Sequence, residues 1–436
     1  MTPIIFHIDV NSAFLSWTSV DNLENNHNDG IDLRTIPAII GGNRENRHGI
    51  VLAKSESAKT FGIHTGEPVA SALRKCPFLV IQAPNHKLYK EYSNKMMNLL
   101  HTYTPDIEQL SIDECFLDFT PIAARYTSPI EAATIIKEDI KSQFHFTVNI
   151  GIANNKLLAK MASDFKKPDR IHTLFKDEIP VKMWPLPVDD LYMVGHSSAE
   201  RLKSFGIRTI GELAHTDTDF LQREFKSHGT QMWEYANGID HSVVDSAKHE
   251  LKGIGNSITL GEDIKDFDSA KQVLLSLSET VSERLRNSNQ LAQNITVEIK
   301  YSDFSSNSHQ MPLFSPTNTT KGIYEASCQL FLELWNKHPL RLLGIRTGKL
   351  LPEDAPIQMN IFDFTDNINT SKQVSQEKSI STSSTSNQDT KKRLQQLDAA
   401  VDAIRLRYGK NAIVRGSLLN SQSKKSEEDS SKETDL

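Results

Sequence analysis

The chain has 436 residues and a mass of 49.0 kDa, enough for about two to four domains. Hydrophobic residues make up 38% and charged residues 24% of it, which excludes a largely disordered or fibrous protein. The formal net charge is −6, so the composition as a whole lacks the basic signature of nucleic-acid binding.

The cysteines and the N-terminus indicate the compartment. Cys76, Cys115 and Cys328 are far apart in sequence and follow no metal-binding or paired spacing, which argues against a disulfide framework or a zinc site and fits a reducing environment. The N-terminus has no cationic region, and no run of about 18 apolar residues occurs. We therefore expect a cytoplasmic protein that is neither exported nor membrane-spanning.

The first 165 residues predict alternating strands and helices. An apolar stretch at residues 3–10 predicts a buried strand that ends at Asp9, and residues 11–20 predict a helix capped by Asn11 or Ser12. The other elements predicted here are a strand at 49–52, a helix capped by Ser55 or Ser57 that ends near Gly62, a helix at 85–103, a strand, turn and strand at 107–119, a strand at 144–152 and a helix at 154–165.

The second half of the chain predicts a helical segment followed by a mixed one. Residues 184–238 read as short helices separated by glycines. After a linker near residues 241–250, strands and helices alternate to residue 351 and predict an α+β module. Its predicted strands are 257–260, 293–301 and 341–347, and its predicted helices are 269–287 and 323–337.

The C-terminal region predicts disorder around one helix. Residues 363–390 contain 12 Ser or Thr among 28 positions and only four large apolar residues, too few to offset the entropy of ordering. A helix is predicted at 391–408, where Gly409 ends it, and a polar tail follows. An apolar stripe on this helix could dock on the protein itself or on a partner, and consists of Leu394, Leu397, Val401, Ile404 and Tyr408.

Three carboxylates lie beside apolar stretches, where an acidic group must be paired, hydrogen-bonded or bound to a cation. Asp9 ends a predicted strand, and Asp113 and Glu114 lie within a strand, turn and strand. Together they could hold two Mg²⁺ ions for in-line displacement at phosphorus, provided that a turn or bulge re-aims Asp113 or Glu114. The alternative is that Asp9 caps the next helix and the acidic pair forms a solvated turn.

Two lysines could bind a triphosphate. Lys59 and Lys156 occupy the early parts of predicted helices, near groups of backbone N–H donors. Ordinary surface positions are the alternative for both.

Four motifs in this order and spacing resemble those of the Y-family translesion DNA polymerases, in particular the bacterial DNA polymerase IV and polymerase V catalytic-subunit group. They are FHIDVNSAFLSW, GIVLAKSESAKTFGIHTGEP, SIDECFLDF and GIANNKLLAKMASDFKKP. The resemblance extends over about residues 3–352. It implies an α+β right-hand fold, with a ferredoxin-like palm, small fingers, a helix-hairpin-helix thumb and an α+β little finger. The implied boundaries are palm 1–20 and 81–181, fingers 21–80, thumb 182–241, little finger 250–352, a clamp-binding peptide and disordered linker 353–390, a helix 391–409 and a tail 410–436.

The resemblance also implies roles for individual residues. Asp9, Asp113 and Glu114 would bind the two Mg²⁺ ions together with the Val10 carbonyl oxygen. Phe14 would be the steric gate against a ribose 2′-OH. The further contacts implied are Leu52 above the nascent base pair and Lys59 and Lys156 at the triphosphate, with no nucleotide role for Glu56.

DNA contacts are implied at the thumb. Residues 194–202 resemble a helix-hairpin-helix in which Gly195 would contact DNA phosphate, although Met193 replaces the usual first glycine. Residues 182–351 carry 18 Lys or Arg against 21 Asp or Glu, a net charge of −3, so we expect a weak grip and low processivity.

A clamp contact is implied just beyond the little finger. The stretch from Gln358 through Met359 and Ile361 to Phe362 resembles the peptide that bacterial polymerases insert into the sliding clamp.

The expected function is therefore translesion synthesis on primer-template DNA with dNTP substrates, by a monomer acting in DNA damage tolerance and the SOS response. A catalytically silent, clamp-bound DNA scaffold is the alternative and should lack one of the metal carboxylates. A palm-domain nucleotide cyclase would not need the thumb motif or the clamp peptide.

Overall fold

The computed structural model describes residues 2–42, 49–247, 250–356 and 386–416. The chain divides into two compact units, the first formed by residues 1–44 and 48–248 and the second by residues from 249 onward. Within the described residues, no helix has the length and apolarity needed to cross a membrane.

A five-stranded sheet forms the centre of the first unit, in the order β5-β6-β1-β7-β8. The strand β1 is antiparallel to both β6 and β7, whereas β8 is parallel to β7. Its strands are β1 (Ile5–Val10), β5 (Ile107–Gln109), β6 (Glu114–Asp118), β7 (Val148–Ala153) and β8 (Ile171–Thr173).

Apolar side chains on both faces of this sheet bury it between helices. Residues Phe6, Ile8 and Val10 share one core with Trp17 and Tyr89. The other face of the sheet packs on the helix Lys156–Asp164 and on the short helices of residues 179–236. The helices flanking the sheet are α1 (Ala13–Glu24), α4 (His86–Leu100), α5 (Pro129–Phe144) and α6 (Lys156–Asp164).

Gly151 allows α6 to lie directly on the sheet. A Cβ atom at this position would lie 2.0 Å from the Ala159 carbonyl oxygen and 2.5 Å from the Ser163 nitrogen. This close approach brings the side chains of α6 near the end of β1, where the candidate site lies.

A small three-stranded sheet, ordered β3-β2-β4, has its own core around Ile39, Val51 and Val69. Ser55 accepts a hydrogen bond from Ala58 N, so the predicted cap at Ser55 is confirmed. Its elements are β2 (Ala38–Gly41), β3 (Val51–Lys54), α2 (Glu56–Thr60), α3 (Val69–Lys75) and β4 (Val80–Gln82).

Short helices complete the first unit, as predicted for residues 184–238. They share a core with α6, so this segment is continuous with the sheet domain. They are α7 (Ile179–Lys182), α8 (His196–Ser204), α9 (Ile210–Ala214), α10 (Thr218–Phe225) and α11 (Ser227–Ala236).

The second unit is an antiparallel sheet, ordered β11-β10-β12-β9, with two helices packed on one face. The described helix α14 belongs to the same unit. The elements are β9 (Gly253–Ile264), α12 (Phe267–Asn287), β10 (Gln290–Tyr301), β11 (Ser306–Thr317), α13 (Thr320–Leu334), β12 (Leu340–Pro352) and α14 (Ser386–Tyr408).

Several sequence predictions need correction. The predicted strand at 144–152 begins only at Val148, because residues up to Phe144 belong to α5. Helix α14 begins at Ser386, so the predicted disorder does not extend to residue 390; residues 357–385 lie outside the described part of the chain. The strand β11 was not predicted, because its mostly exposed, polar residues give no apolar alternation.

The predicted cap of α1 is also wrong. Ser12 has a left-handed backbone with φ of 45° and its side chain makes no capping bond. The Asn11 side chain is instead bonded to Thr147, Asn149 and the Asp169 nitrogen. Asn11 therefore ties β1 to neighbouring segments and does not cap the helix.

Candidate active site

Asp9 lies near the end of β1 and lines a polar pocket. Its Oδ2 lies 3.0 Å from Lys167 Nζ and 3.9 Å from Lys160 Nζ. Burial raises the pKa of Asp9 even though both ammonium groups oppose that shift. The carboxylate therefore depends on nearby cations to remain charged.

Asp113 lies in the turn between β5 and β6, so its side chain is not bound to the alternation of a strand. Its carbonyl oxygen accepts a hydrogen bond from Val10 N at 3.0 Å, and its Oδ1 accepts one from Ser111 Oγ at 2.6 Å. Asp9 and Asp113 line the same cavity of about 400 Å³. The turn thus supplies the re-aiming that the adjacent acidic pair requires.

Glu114 faces Asp9 across the β1–β6 ladder, but its carboxylate points toward α6. Lys160 Nζ contacts Glu114 Oε2 directly, and His7 Nε2 lies 3.2 Å from the same oxygen. Contacts with the His7 imidazole and with Lys160 lower the pKa of Glu114 to about 2, against the opposing effect of burial. Glu114 is therefore a carboxylate beside the cavity, linked to Asp9 through Lys160.

The donor chemistry of this site fits a hard divalent cation. Carboxylate and carbonyl oxygens are the ligands that Mg²⁺ prefers, and Asp9, Asp113 and Val10 all line the cavity. In the described part of the chain, no group of three or more His, Cys, Asp or Glu side chains is arranged to hold a metal ion, and the Glu114 carboxylate contacts Lys160 beside the cavity. Lys160 and Lys167 supply the positive charge next to Asp9 and Glu114.

The lining of the cavity also includes an aromatic ring, an aliphatic side chain and a cation. Phe14 and Leu52 line the cavity together with Lys59. Lys59 is largely exposed, and its Nζ lies 3.7 Å from Glu56 Oε2. Six of the residues singled out in the sequence therefore line one cavity, namely Asp9, Val10, Phe14, Leu52, Lys59 and Asp113.

Lys156 lies outside this cavity. Its Nζ lies 2.7 Å from both carboxylate oxygens of Glu108, and 3.4 Å from the Val243 carbonyl oxygen. Lys156, which the motifs placed at the triphosphate, faces β5 from the first turn of α6 and does not line the cavity. Lys167 lines the cavity instead; it is the last lysine of the same GIANNKLLAKMASDFKKP motif and received no role from the sequence.

Gly195 immediately precedes α8 and has open space at its Cα, since an added Cβ would meet no atom within 4 Å. Met193, two residues earlier, has a left-handed φ of 70°, the conformation that normally favours glycine. The candidate clamp residues Gln358, Met359, Ile361 and Phe362 lie outside the described residues.

Comparison with known proteins gives concordant matches along the chain. The impB/mucB/samB family model matches residues 8–164, its C-terminal domain model matches residues 251–361, and a DNA polymerase-iota thumb domain model matches residues 189–240. DNA polymerase IV of Clostridium acetobutylicum is 44% identical over 97% of this chain and 100% of its own length. DNA polymerase IV 1 of Bacillus subtilis is 38% identical over 83% of this chain and 86% of its own.

A solved Y-family DNA polymerase chimera superposes with a TM-score of 0.69 at 22% identity, covering 80% of this chain and 99% of that one. At this identity the likeness concerns the fold alone. The fold class expected from the motifs, a Y-family right hand with a helix-hairpin-helix thumb, is confirmed by this neighbour and by the thumb model.

Proposed function

Because the chain belongs to the Y family of translesion DNA polymerases and is similar to DNA polymerase IV, we propose that its Asp9, Asp113 and Glu114 hold two Mg²⁺ ions. As a DNA-directed DNA polymerase of this family it acts on primer-template DNA and nucleotides and depends on divalent metal. The observation that carries the proposal is that Asp9 and Asp113 line one cavity with the Val10 backbone.

The metal ions, when bound, would activate the primer 3′-OH and stabilise charge on the leaving pyrophosphate. The chain contributes the oxygen ligands, with the Val10 carbonyl as the backbone member. Lys160 and Lys167 place positive charge beside Asp9 and Glu114, which favours their ionised forms. No side chain at the cavity is an evident general base.

The nucleotide would be read by other residues that line the cavity. We assign Phe14 as the gate against a 2′-OH and Leu52 as a lid over the nascent base pair, which favours a tight lid and narrow lesion tolerance. Lys59 remains a candidate for the triphosphate. The second phosphate-binding lysine is Lys167, which lines the cavity, in place of Lys156, which is bound to Glu108.

Weak intrinsic DNA binding and a clamp tether would complement each other. The net charge of −3 over residues 182–351 supports low processivity, with Gly195 as one phosphate contact. Tethering by the clamp-binding peptide, made of Gln358, Met359, Ile361 and Phe362, would raise the local concentration of the primer end. We further propose a monomer that acts in the cytoplasm within the SOS response, with the palm, fingers, thumb and little finger bounded as expected from the motifs.

A primer-extension assay with Mg²⁺ tests the catalytic assignment. Asp113→Ala should lower extension by more than about 100-fold, since replacing even a residue behind a metal ligand typically costs 10- to 100-fold. Asp118→Ala is the matched control, because Asp118 ends the strand β6 that follows Asp113 and accepts a hydrogen bond from Thr120 N. Equal extension by wild type and Asp113→Ala would remove the assignment.

The same assay addresses the alternative of a silent scaffold. A wild-type protein that binds primer-template DNA but does not extend it would favour the scaffold. Retention of all three carboxylates in this sequence supports the polymerase.

A further inference from the structure

His7 is a buried polar residue that the proposed reaction does not use. It lies on β1 two residues before Asp9, so both side chains project to the face of the sheet covered by α6. His7 is fully buried, and its ring packs at a tilt against Phe116 with centroids 4.8 Å apart. A buried imidazole costs free energy unless its nitrogens are partnered, so each partner is informative.

One ring nitrogen is held by α6. His7 Nδ1 lies 2.8 Å from Ser163 Oγ, and Ser163 is itself fully buried. Ser163 Oγ also lies 2.8 Å from the Lys160 carbonyl oxygen. The serine hydroxyl therefore lies between its own helix and the imidazole, within hydrogen-bond distance of both.

The other ring nitrogen faces the candidate metal ligand. His7 Nε2 lies 3.2 Å from Glu114 Oε2, yet it has no well-aligned hydrogen-bond partner. Glu114 is drawn toward Lys160 instead. His7 Nε2 lies near the Glu114 carboxylate but is not aligned with it. An N–H group at this position would donate a hydrogen bond to the carboxylate once the carboxylate turns toward it.

Resting on the proposed function, we propose that His7 is a positioning residue, which orients the Glu114 carboxylate for the divalent cation through Nε2 while Ser163 fixes the ring through Nδ1. On a neutral ring this requires the single Ser163 hydroxyl proton to point to Nδ1 and not to the Lys160 carbonyl oxygen, so that Nε2 carries the ring proton and donates to Glu114. Such outer partners typically tune metal affinity 10- to 100-fold.

Lys160 cannot supply the same orientation. Its ammonium is a compact charge with three rotatable donors on a flexible stem, and it also approaches Asp9 and Asp164 at 3.9 Å. An imidazole that is held at Nδ1 and packed against Phe116 presents a single Nε2–H in one direction. Lys160 therefore neutralises the carboxylates, whereas His7 sets the direction of one of them.

Direct metal binding tests this proposal without relying on turnover. Free Mn²⁺ is measured by electron paramagnetic resonance during titration of the full-length chain with primer-template DNA and no nucleotide. His7→Leu should weaken Mn²⁺ binding by about 10- to 100-fold, and Ser163→Ala should give a smaller loss. His7→Gln keeps a donor directed at Glu114 and should retain most of the affinity.

Controls separate positioning from folding. Ser93→Ala removes another buried serine hydroxyl of the same unit, which Gln109 contacts, and should leave Mn²⁺ binding unchanged. Thermal unfolding of every variant is recorded, and if His7→Leu does not fold, His7→Gln and Ser163→Ala decide. If His7 had only a structural role, His7→Leu would lower the melting temperature and His7→Gln would not restore the affinity for Mn²⁺.

The Asp113→Ala variant distinguishes a failure of the positioning role of His7 from a failure of the proposed metal site. If Asp113→Ala abolishes Mn²⁺ binding while the folded His7 and Ser163 variants bind as wild type, the positioning role is overturned and the metal site stands. If Asp113→Ala binds Mn²⁺ normally, the proposed metal site itself fails.

Discussion

Phe14 and Tyr89 stack face to face, with ring centroids 4.3 Å apart and planes 8° from parallel. Tyr89 is fully buried, and its hydroxyl lies 3.0 Å from Thr18 Oγ1. The aromatic wall of the cavity is therefore supported from behind by a ring that cannot move without disturbing the core. A gate held in this way would exclude a 2′-OH by rigidity as well as by size.

Replacement of either ring should relax sugar discrimination. Phe14→Ala removes the barrier and should raise ribonucleotide relative to deoxynucleotide insertion by about 10- to 200-fold, the range for a steric pocket change. Tyr89→Leu should give a smaller increase, because Phe14 remains but loses its support. Single-nucleotide insertion kinetics check both variants. Tyr92→Leu is the control, since Tyr92 is a buried tyrosine of α4 that stacks on Trp17; an equal effect from it would contradict the gate.

Replacing Lys167 and replacing Lys156 should affect the KM for the incoming nucleotide differently. Lys167→Ala should raise the KM for the incoming nucleotide by about 10- to 100-fold, because a charged hydrogen bond typically contributes about 1.5–3 kcal/mol. Lys156→Ala should leave that KM unchanged, since Lys156 is bound to Glu108 outside the cavity. Steady-state insertion kinetics compare the two variants. A raised KM in Lys156→Ala alone would return the phosphate role to that residue.

The sequence predicts that Asp9 and Asp113 lie near each other, as they do in one cavity, because each is tied to a local pattern. Asp9 follows a continuous apolar run, and Asp113 lies where two short apolar runs must be joined by a turn. Position along the chain is then enough to place both at one end of a sheet. The match of four motifs in order also predicts the fold class.

The lysines and the C-terminal helix escape prediction for a physical reason. Which lysine reaches the carboxylates depends on the face that α6 turns to β1, and Gly151 sets this through packing that no periodicity reveals.

On α14 the apolar stripe predicts the docking face, yet Leu397 and Tyr408 are 51% and 66% exposed while Asp398 is 4% exposed. Charge pairing with the rest of the unit, which is invisible in a single helix, decides the contact.

The pKa of Asp32 predicts how the stability of the first unit depends on pH in the acid range. It accepts hydrogen bonds from Arg34 and Ser19, and the Arg34 guanidinium lowers the pKa of Asp32 from 3.8 to about 2. A depressed folded-state pKa stabilises the fold above pH 3.8, and this contribution is lost as the pH falls through about 2. Asp32→Asn should therefore flatten the pH dependence of unfolding between these values.

Urea unfolding at a series of pH values measures this slope. Asp219→Asn changes an exposed carboxylate of the same unit and serves as the control. An Asp32→Asn protein whose stability falls with acid as steeply as that of the wild type would contradict the assignment.

The C-terminal helix α14 is held in the second unit by carboxylate and guanidinium groups. Asp398 accepts hydrogen bonds from Thr320 N at 2.8 Å and from Arg415 Nη2 at 3.1 Å, and lies 3.4 Å from Arg286 Nη1. Arg286 also forms a two-pronged pair with Asp402, at 2.6 and 3.0 Å. Because Asp398 accepts from the first turn of α13, the dipole of that helix favours its charge.

Asp398→Ala should therefore release α14. The change leaves Thr320 N without its acceptor, which typically costs about 1–3 kcal/mol, and it removes one of the carboxylates that Arg286 and Arg415 contact. Hydrogen exchange of the backbone amides of α14 should accelerate accordingly, while the β10 amides in the centre of the sheet stay protected. Leu406→Ala alters a side chain that is 91% exposed on the same helix and should change nothing. Equal protection of α14 in wild type and Asp398→Ala would mean that the helix is held by contacts other than those of Asp398.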